Sequence, residues 1–104
     1  MDKKITNFIQ KHHVLSCAFL NKDKVHSISC FYLFANNPPR FIIASNTNTL
    51  HVKLANKNPN VSGTIHLETT QIGKIQGIQF NGIWKKQAGK MQNLILKNTH
   101  MPCL

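Results

Sequence analysis

The sequence predicts a mainly β protein: a small, mostly antiparallel β-barrel with short helices. Three observations point that way. Runs of strand length, rich in β-branched and aromatic residues, recur between Val14 and Trp84. Polar turns such as NKDK (21–24) and ANNPPR (35–40) separate them. Hydrophobic strands in so short a chain leave unpaired edges unless the sheet closes on itself, which a barrel does.

Taken in order, Ile5, Phe8, Ile9 and His12 are spaced for one face of a helix, capped by Asp2, so 1–13 is a lead-in helix. VLSCAFL (14–20) is a strand, and the NKDK turn makes a hairpin into HSISCFYLF (26–34). That second strand begins by alternating, with Ile28 and Cys30 against Ser27 and Ser29, and then becomes apolar throughout. A strand apolar on both sides is covered on both sides, and a second subunit is the expected cover here. RFIIAS (40–45) is the third strand. The loop SNTNT (45–49) leads into a helix carrying Leu50, Val52, Leu54 and Ala55, which Asn58-Pro59 ends. VSGTIHL (61–67) alternates cleanly as a fourth strand. A fifth runs from Lys74 to Trp84, with Gly77 and Gly82 marking a bulge or a close backbone approach. Met91, Leu94 and Ile95 are spaced for a basic helix over 88–97, inside a C-terminal helix and tail of 88–104.

Composition sets the function classes. With 104 residues, 41% of them hydrophobic, residues 1–104 form one domain with one core. No apolar run approaches the ~20 residues of a membrane-spanning helix, and MDKKITNFIQKHH lacks the apolar segment of a secretory signal. A cytoplasmic protein with no membrane partner is the expectation. Cys17, Cys30 and Cys103 have no C-x-x-C spacing, so Cys17 and Cys30 read as buried thiols and Cys103 as an exposed one.

A net charge of +10 favours anionic partners. The lysines are scattered and Arg40 is the only arginine, which disfavours nucleic acid relative to a phosphate-bearing small ligand. Asp2, Asp23 and Glu68 are the only acids, which removes paired-carboxylate chemistry and hard-metal sites. No H-x-x-x-H and no Cys/His cluster supports a transition metal, so no metal is expected. A serine or cysteine triad would lack an acid to orient its histidine. No catalytic residue is assigned. The strand–loop–helix unit RFIIASNTNTLHVK (40–53) is the best candidate site. Helix N–H groups, the hydroxyls of Ser45 and Thr49, His51 and Lys53 make a phosphate cradle. Ordinary helix capping is the other reading of the same residues.

The phrases FYLF, T-x-H (Thr49 and His51), V-x-GTI and I-x-GIQF-x-G, in register over residues 5–86, resemble the pyridoxamine-phosphate-oxidase-like split barrels. Within that family the phrases resemble the YhbP-like branch. The resemblance implies a split barrel of the FMN-binding type. It also implies a homodimeric flavin mononucleotide (FMN) oxidoreductase, with its cofactor in a groove between subunits. It places Ser29, Cys30, Phe31 and Tyr32 beside the flavin ring, and Ser45, Asn46, Thr49 and His51 around the phosphate. Leu50 stands where that family often carries the first of two basic residues, and the chain ends before the family's last helix and strand, which implies a C-terminally shortened member. A dimeric binding module that has lost its flavin and a basic nucleic-acid-binding barrel are the alternatives.

Overall fold

The computed structural model describes residues 1–71, 73 and 76–102. Helix α1 (Lys3–Lys11) leads into strands β1 (Val14–Asn21), β2 (Lys24–Phe31), β3 (Leu33–Ala35) and β4 (Arg40–Ala44). Helix α2 (Leu50–Lys57) follows, then β5 (Asn60–His66), β6 (Gly77–Ala88) and β7 (Met91–His100). The strands form one antiparallel seven-stranded sheet in the order β2-β1-β5-β6-β7-β4-β3.

The two edges of that sheet, β2 and β3, are neighbours in the chain, separated only by Tyr32. A sheet whose first and last strands meet at one residue must curl, and it does so into an open barrel. The run 26–34 is therefore two strands on opposite edges rather than one. Tyr32 makes the joint: its N–H donates to the His13 carbonyl (3.0 Å), and its hydroxyl donates to the Ile9 carbonyl (2.7 Å).

Inside the curl, alternate residues of each strand build the core. Leu15, Cys17 and Phe19 come from β1, Val61 and Ile65 from β5, and Ile78, Phe80 and Trp84 from β6. Aromatic rings stack edge to face through it, from Tyr32 to Phe41 (4.8 Å) and from Phe41 to Phe80 (5.0 Å). Helix α1 plugs one side with Phe8 and Ile9 buried, and the Asp2 carboxylate accepts from the Lys4 N–H (2.7 Å) as the cap. Helix α2 buries Val52, Leu54 and Ala55 and leaves Leu50 exposed.

The C-terminal segment departs from the expected helix over 88–97. It is strand β7, paired to β6 on one side and to β4 on the other. Gly89, at φ 55°, turns the chain between β6 and β7 in a backbone region that costs glycine little. The interior then takes Gln92 and Leu94, two residues apart, as a strand requires. The register between β6 and β7 shifts at Asn81/Gly82, but the extra residue, Lys97, is on β7, so Gly82 marks a close backbone approach and not a bulge in β6. A Cβ at Gly82 would sit 2.6 Å from the Ile95 carbonyl oxygen, so only glycine fits that approach. Strand β6 begins at Gly77; the start expected at Lys74 and Ile75, and the exposure expected of Cys103, lie outside the described residues. No helix of the described residues is long and apolar enough to cross a membrane.

Candidate functional site

Two features come together on the outside of the sheet where β2 gives way to β3. The first is an apolar groove of about 670 Å³. Strand register builds it. Leu33 pairs with Ile42 and Ala44 with Met91, so these side chains stand in rows on the outward face, and Phe31 adds to them from β2. Phe31 is 77% exposed and Leu33 68%. His13, Cys30 and Tyr32 line the same groove at the joint.

The second feature is the turn from β4 into α2, which continues directly from Ala44. Ser45 is buried, its N–H donating to the Lys90 carbonyl (2.8 Å). Its hydroxyl lies 2.9 Å from His51 Nε2, and the Thr49 hydroxyl, 3.5 Å from the same nitrogen, donates to the Asn46 carbonyl (2.8 Å). The His51 ring packs against Phe19 (5.7 Å) and Trp84 (6.0 Å). Burial, and then the neighbouring His26, holds its pKa below the ordinary histidine value, so it is neutral at pH 7. Thr49, the N-cap of α2, makes no side-chain capping bond, so the first-turn N–H groups keep their donor capacity without a side-chain cap.

The four residues expected around a phosphate, Ser45, Asn46, Thr49 and His51, therefore do cluster. Their side chains, however, mostly bond to one another and to the Asn46 carbonyl, and none of these bonds caps the helix. The four residues expected beside a flavin ring separate. Cys30, Phe31 and Tyr32 line the groove, whereas the Ser29 hydroxyl pairs with that of Ser16 (3.0 Å) on the outer face of β1 and β2. The Tyr32 hydroxyl is committed to Ile9, and burial pushes its pKa up, so it stays protonated. Arg40 donates to the carbonyls of Asn36 (2.9 Å) and Pro38 (3.0 Å) in the β3–β4 turn.

Sequence reasoning missed His13, Leu33, Ile42, Ala44 and Met91 as groove residues. Only the β3–β4–β7 register brings them together, and no local spacing encodes it. Cys30 meets Cys17 across β1 and β2. The neighbouring thiol and burial push Cys17 up, while the same contact holds Cys30 below the ordinary thiol range against the effect of burial. Among the described residues no group of three or more His, Cys, Asp or Glu is placed to hold a metal ion.

No family model matches the sequence. The chain is 40% identical over 77 residues to a UPF0306 protein of Haemophilus ducreyi, an alignment covering 74% of this chain and 53% of that protein. To a UPF0306 protein of Campylobacter jejuni it is 34% identical over 85 residues, covering 82% of this chain and 62% of the relative. The chain thus spans about half to three-fifths of the length of these curated relatives. Among solved structures, an FAD-binding protein of Mesorhizobium loti superposes with a TM-score of 0.81 at 9% identity, covering 92% of this chain and 87% of that one. The chain has the split-barrel fold. A Listeria innocua protein described as a candidate pyridoxamine 5′-phosphate oxidase shares the split barrel at a TM-score of 0.76 and 11% identity, covering 94% of each chain. The heme storage protein of Vibrio cholerae shares it at 0.69 and 11% identity, covering 95% and 92%.

Chemically, the groove can shelter a flat apolar ring, and the first turn of α2 can donate to an anion. FMN combines these two parts. The fit is good for the ring; for the phosphate it rests on backbone N–H groups, because Ser45 and His51 are bonded to each other.

Proposed function

We propose that this split barrel binds FMN in the outward groove, ring against Phe31 and phosphate at the first turn of α2, and acts as a homodimeric flavin-dependent oxidoreductase. The observation that carries the reading is the exposed apolar groove of about 670 Å³ adjoining the turn at Ser45–Thr49. Its volume falls within the range of small-ligand sites. The flavin mononucleotide would supply the redox chemistry, and the chain would bind and orient it. Ser29, Cys30, Phe31 and Tyr32 belong to the ring side, and Ser45, Asn46, Thr49 and His51 to the phosphate side. The test is equilibrium binding of FMN by visible absorbance and protein fluorescence, followed by gel filtration. Wild-type protein is expected to retain the flavin; Thr49 and His51 brace the turn that presents the N–H groups, so replacing both with alanine is expected to weaken it about tenfold. If flavin elutes separately from the wild-type protein, the reading fails.

A specific observation favours a second reading. His13 and Met91 both line the groove, and imidazole and thioether are the common axial ligands of heme iron. A heme-storing protein shares the fold. Added hemin would then give a Soret band that shifts in His13→Ala, with no retention of FMN.

A further inference from the structure

Cys30 lies on the ring side of the groove, but its thiol has no role in the proposed function. That thiol has a neighbour. In the β1–β2 ladder Leu15 faces Cys30 and Cys17 faces Ile28, and alternation turns all four side chains toward the core. Cys17 and Cys30 are therefore diagonal neighbours on one face, with their thiols in hydrogen-bonding contact. Their surroundings differ. Cys17 is 2% exposed, whereas Cys30, on the outermost strand of the sheet, is only partly buried and lines the open groove. Among the described residues these are the only cysteines. The contact also divides them chemically. Cys17 is pushed up by its bond to Cys30 and then by burial, and the same bond holds Cys30 below the ordinary thiol range. The thiolate is the form that attacks an electrophile, so the sulfur nearer solvent is also the one with the larger reactive fraction.

We propose that Cys30 is a peroxide-reactive thiol and Cys17 its resolving partner, the two forming a reversible disulfide across β1 and β2. In the first step the Cys30 thiolate attacks one oxygen of hydrogen peroxide. An S–O bond forms, the O–O bond breaks, and the departing hydroxide takes up the proton that the thiol had released. In the second step the Cys17 sulfur attacks the Cys30 sulfenic acid. The S–S bond forms, the S–O bond breaks, and the oxygen leaves as water with the Cys17 proton. The two thiols together lose two electrons, and one peroxide becomes two waters. The backbone decides how durable this disulfide is. Diagonal partners stand roughly 7–8 Å apart, just beyond the usual disulfide span of up to about 7 Å. Strand β2 must therefore draw in toward β1, and it is paired to β1 alone. A bond formed under that strain is readily reduced, which suits a switch better than a permanent staple. Phe31 and Tyr32 follow Cys30 directly, so the movement reaches the groove and the joint between the sheet's edges.

None of this depends on flavin, and the experiment uses none. The full chain carrying Cys103→Ser is treated with hydrogen peroxide at a dose that leaves glutathione in a parallel tube largely reduced. Intact mass and peptide maps are then read before and after dithiothreitol. The substitution removes the third thiol, so an internal disulfide reports on Cys17 and Cys30. The expected product is a chain lighter by two hydrogens, not cross-linked to another, with the Cys17 and Cys30 peptides joined and dithiothreitol restoring both thiols. With Cys17→Ser added, Cys30 should stop at the sulfenic acid and be captured by dimedone. With Cys30→Ser added instead, capture at Cys17 should be at least about tenfold slower. The disulfide itself is read without either core substitution, so a variant that fails to fold leaves the test standing. Three results overturn the proposal: both thiols stay reduced, links form only between separate chains, or Cys30 runs on to sulfinic acid while Cys17 is untouched.

Discussion

Helices α1 and α2 are each tied to the sheet by a side-chain hydrogen bond over an apolar seat, but the two ties differ in kind. The tie on α1 is the Tyr32 hydroxyl donating to the Ile9 carbonyl, one of the last carbonyls of a nine-residue helix and so without a helical partner of its own. It is buried, and its donor stays protonated. The tie on α2 is the Ser45–His51 pair, part-buried and made by an imidazole whose pKa burial holds below the ordinary histidine value. The difference teaches where this small barrel is rigid. The α1 side closes the joint between the sheet's two edges, and the α2 side sits over a turn that has donors left for a ligand.

Three measurements sharpen or break that contrast. The largest effect should come from the seat beneath α1: Ile9 is fully buried, and Ile9→Ala should cost about 2–5 kcal/mol in urea unfolding. A loss well under 1 kcal/mol would mean that α1 is not part of the cooperative core. Next comes the tie itself. Tyr32→Phe leaves the Ile9 carbonyl buried without its donor and should cost about 1–3 kcal/mol. The third and smallest effect is on the α2 side, where His51→Ala should cost about 0.5–1.5 kcal/mol near pH 7 and should also change the pH dependence.

The sign of that dependence follows from the depressed pKa of His51. A histidine titrating lower in the folded than in the unfolded chain binds fewer protons when folded. Its contribution is complete above the unfolded value of about 6.5 and is lost as pH falls through that value toward the folded one. Wild-type stability should therefore decline on acidification below about pH 6.5, and less steeply in His51→Ala. The residual slope belongs in part to His12, held low by burial and by Lys11. An identical slope in the variant would mean that His51 does not report on the α2 tie.

The same contrast shows what could be read from the sequence. Elements with a regular apolar period or a short apolar run between turns were legible: α1 with its Asp2 cap, β1, β4, β5, and β6 from Ile78 to Trp84. Strand β7 was not, because its most buried inward position is a glutamine. Gln92 is fully buried and accepts from the Trp84 indole N–H (3.0 Å), so a polar residue occupies the strand period while Met91, Leu94 and Ile95 imitate a helical one. The break at Tyr32 was hidden for the opposite reason: FYLF is apolar throughout and carries no local sign of a change of edge. At the site, the turn residues 45–51 are contiguous and could be read together. The groove needs the pairing of β4 with β7, which lie far apart in the chain, and it could not.

The joint at Tyr32 also decides how the barrel is held shut. Strands β2 and β3 are not paired with each other, so no ladder of backbone hydrogen bonds runs along the seam. Covalent continuity through Tyr32, together with its hydrogen bonds to His13 and Ile9, does that work. A single peptide cut beside Tyr32 would break no strand pairing, yet it would remove the direct covalent link between the sheet's two margins. The wall in front of the core is, in mechanical terms, a strap anchored at one stud.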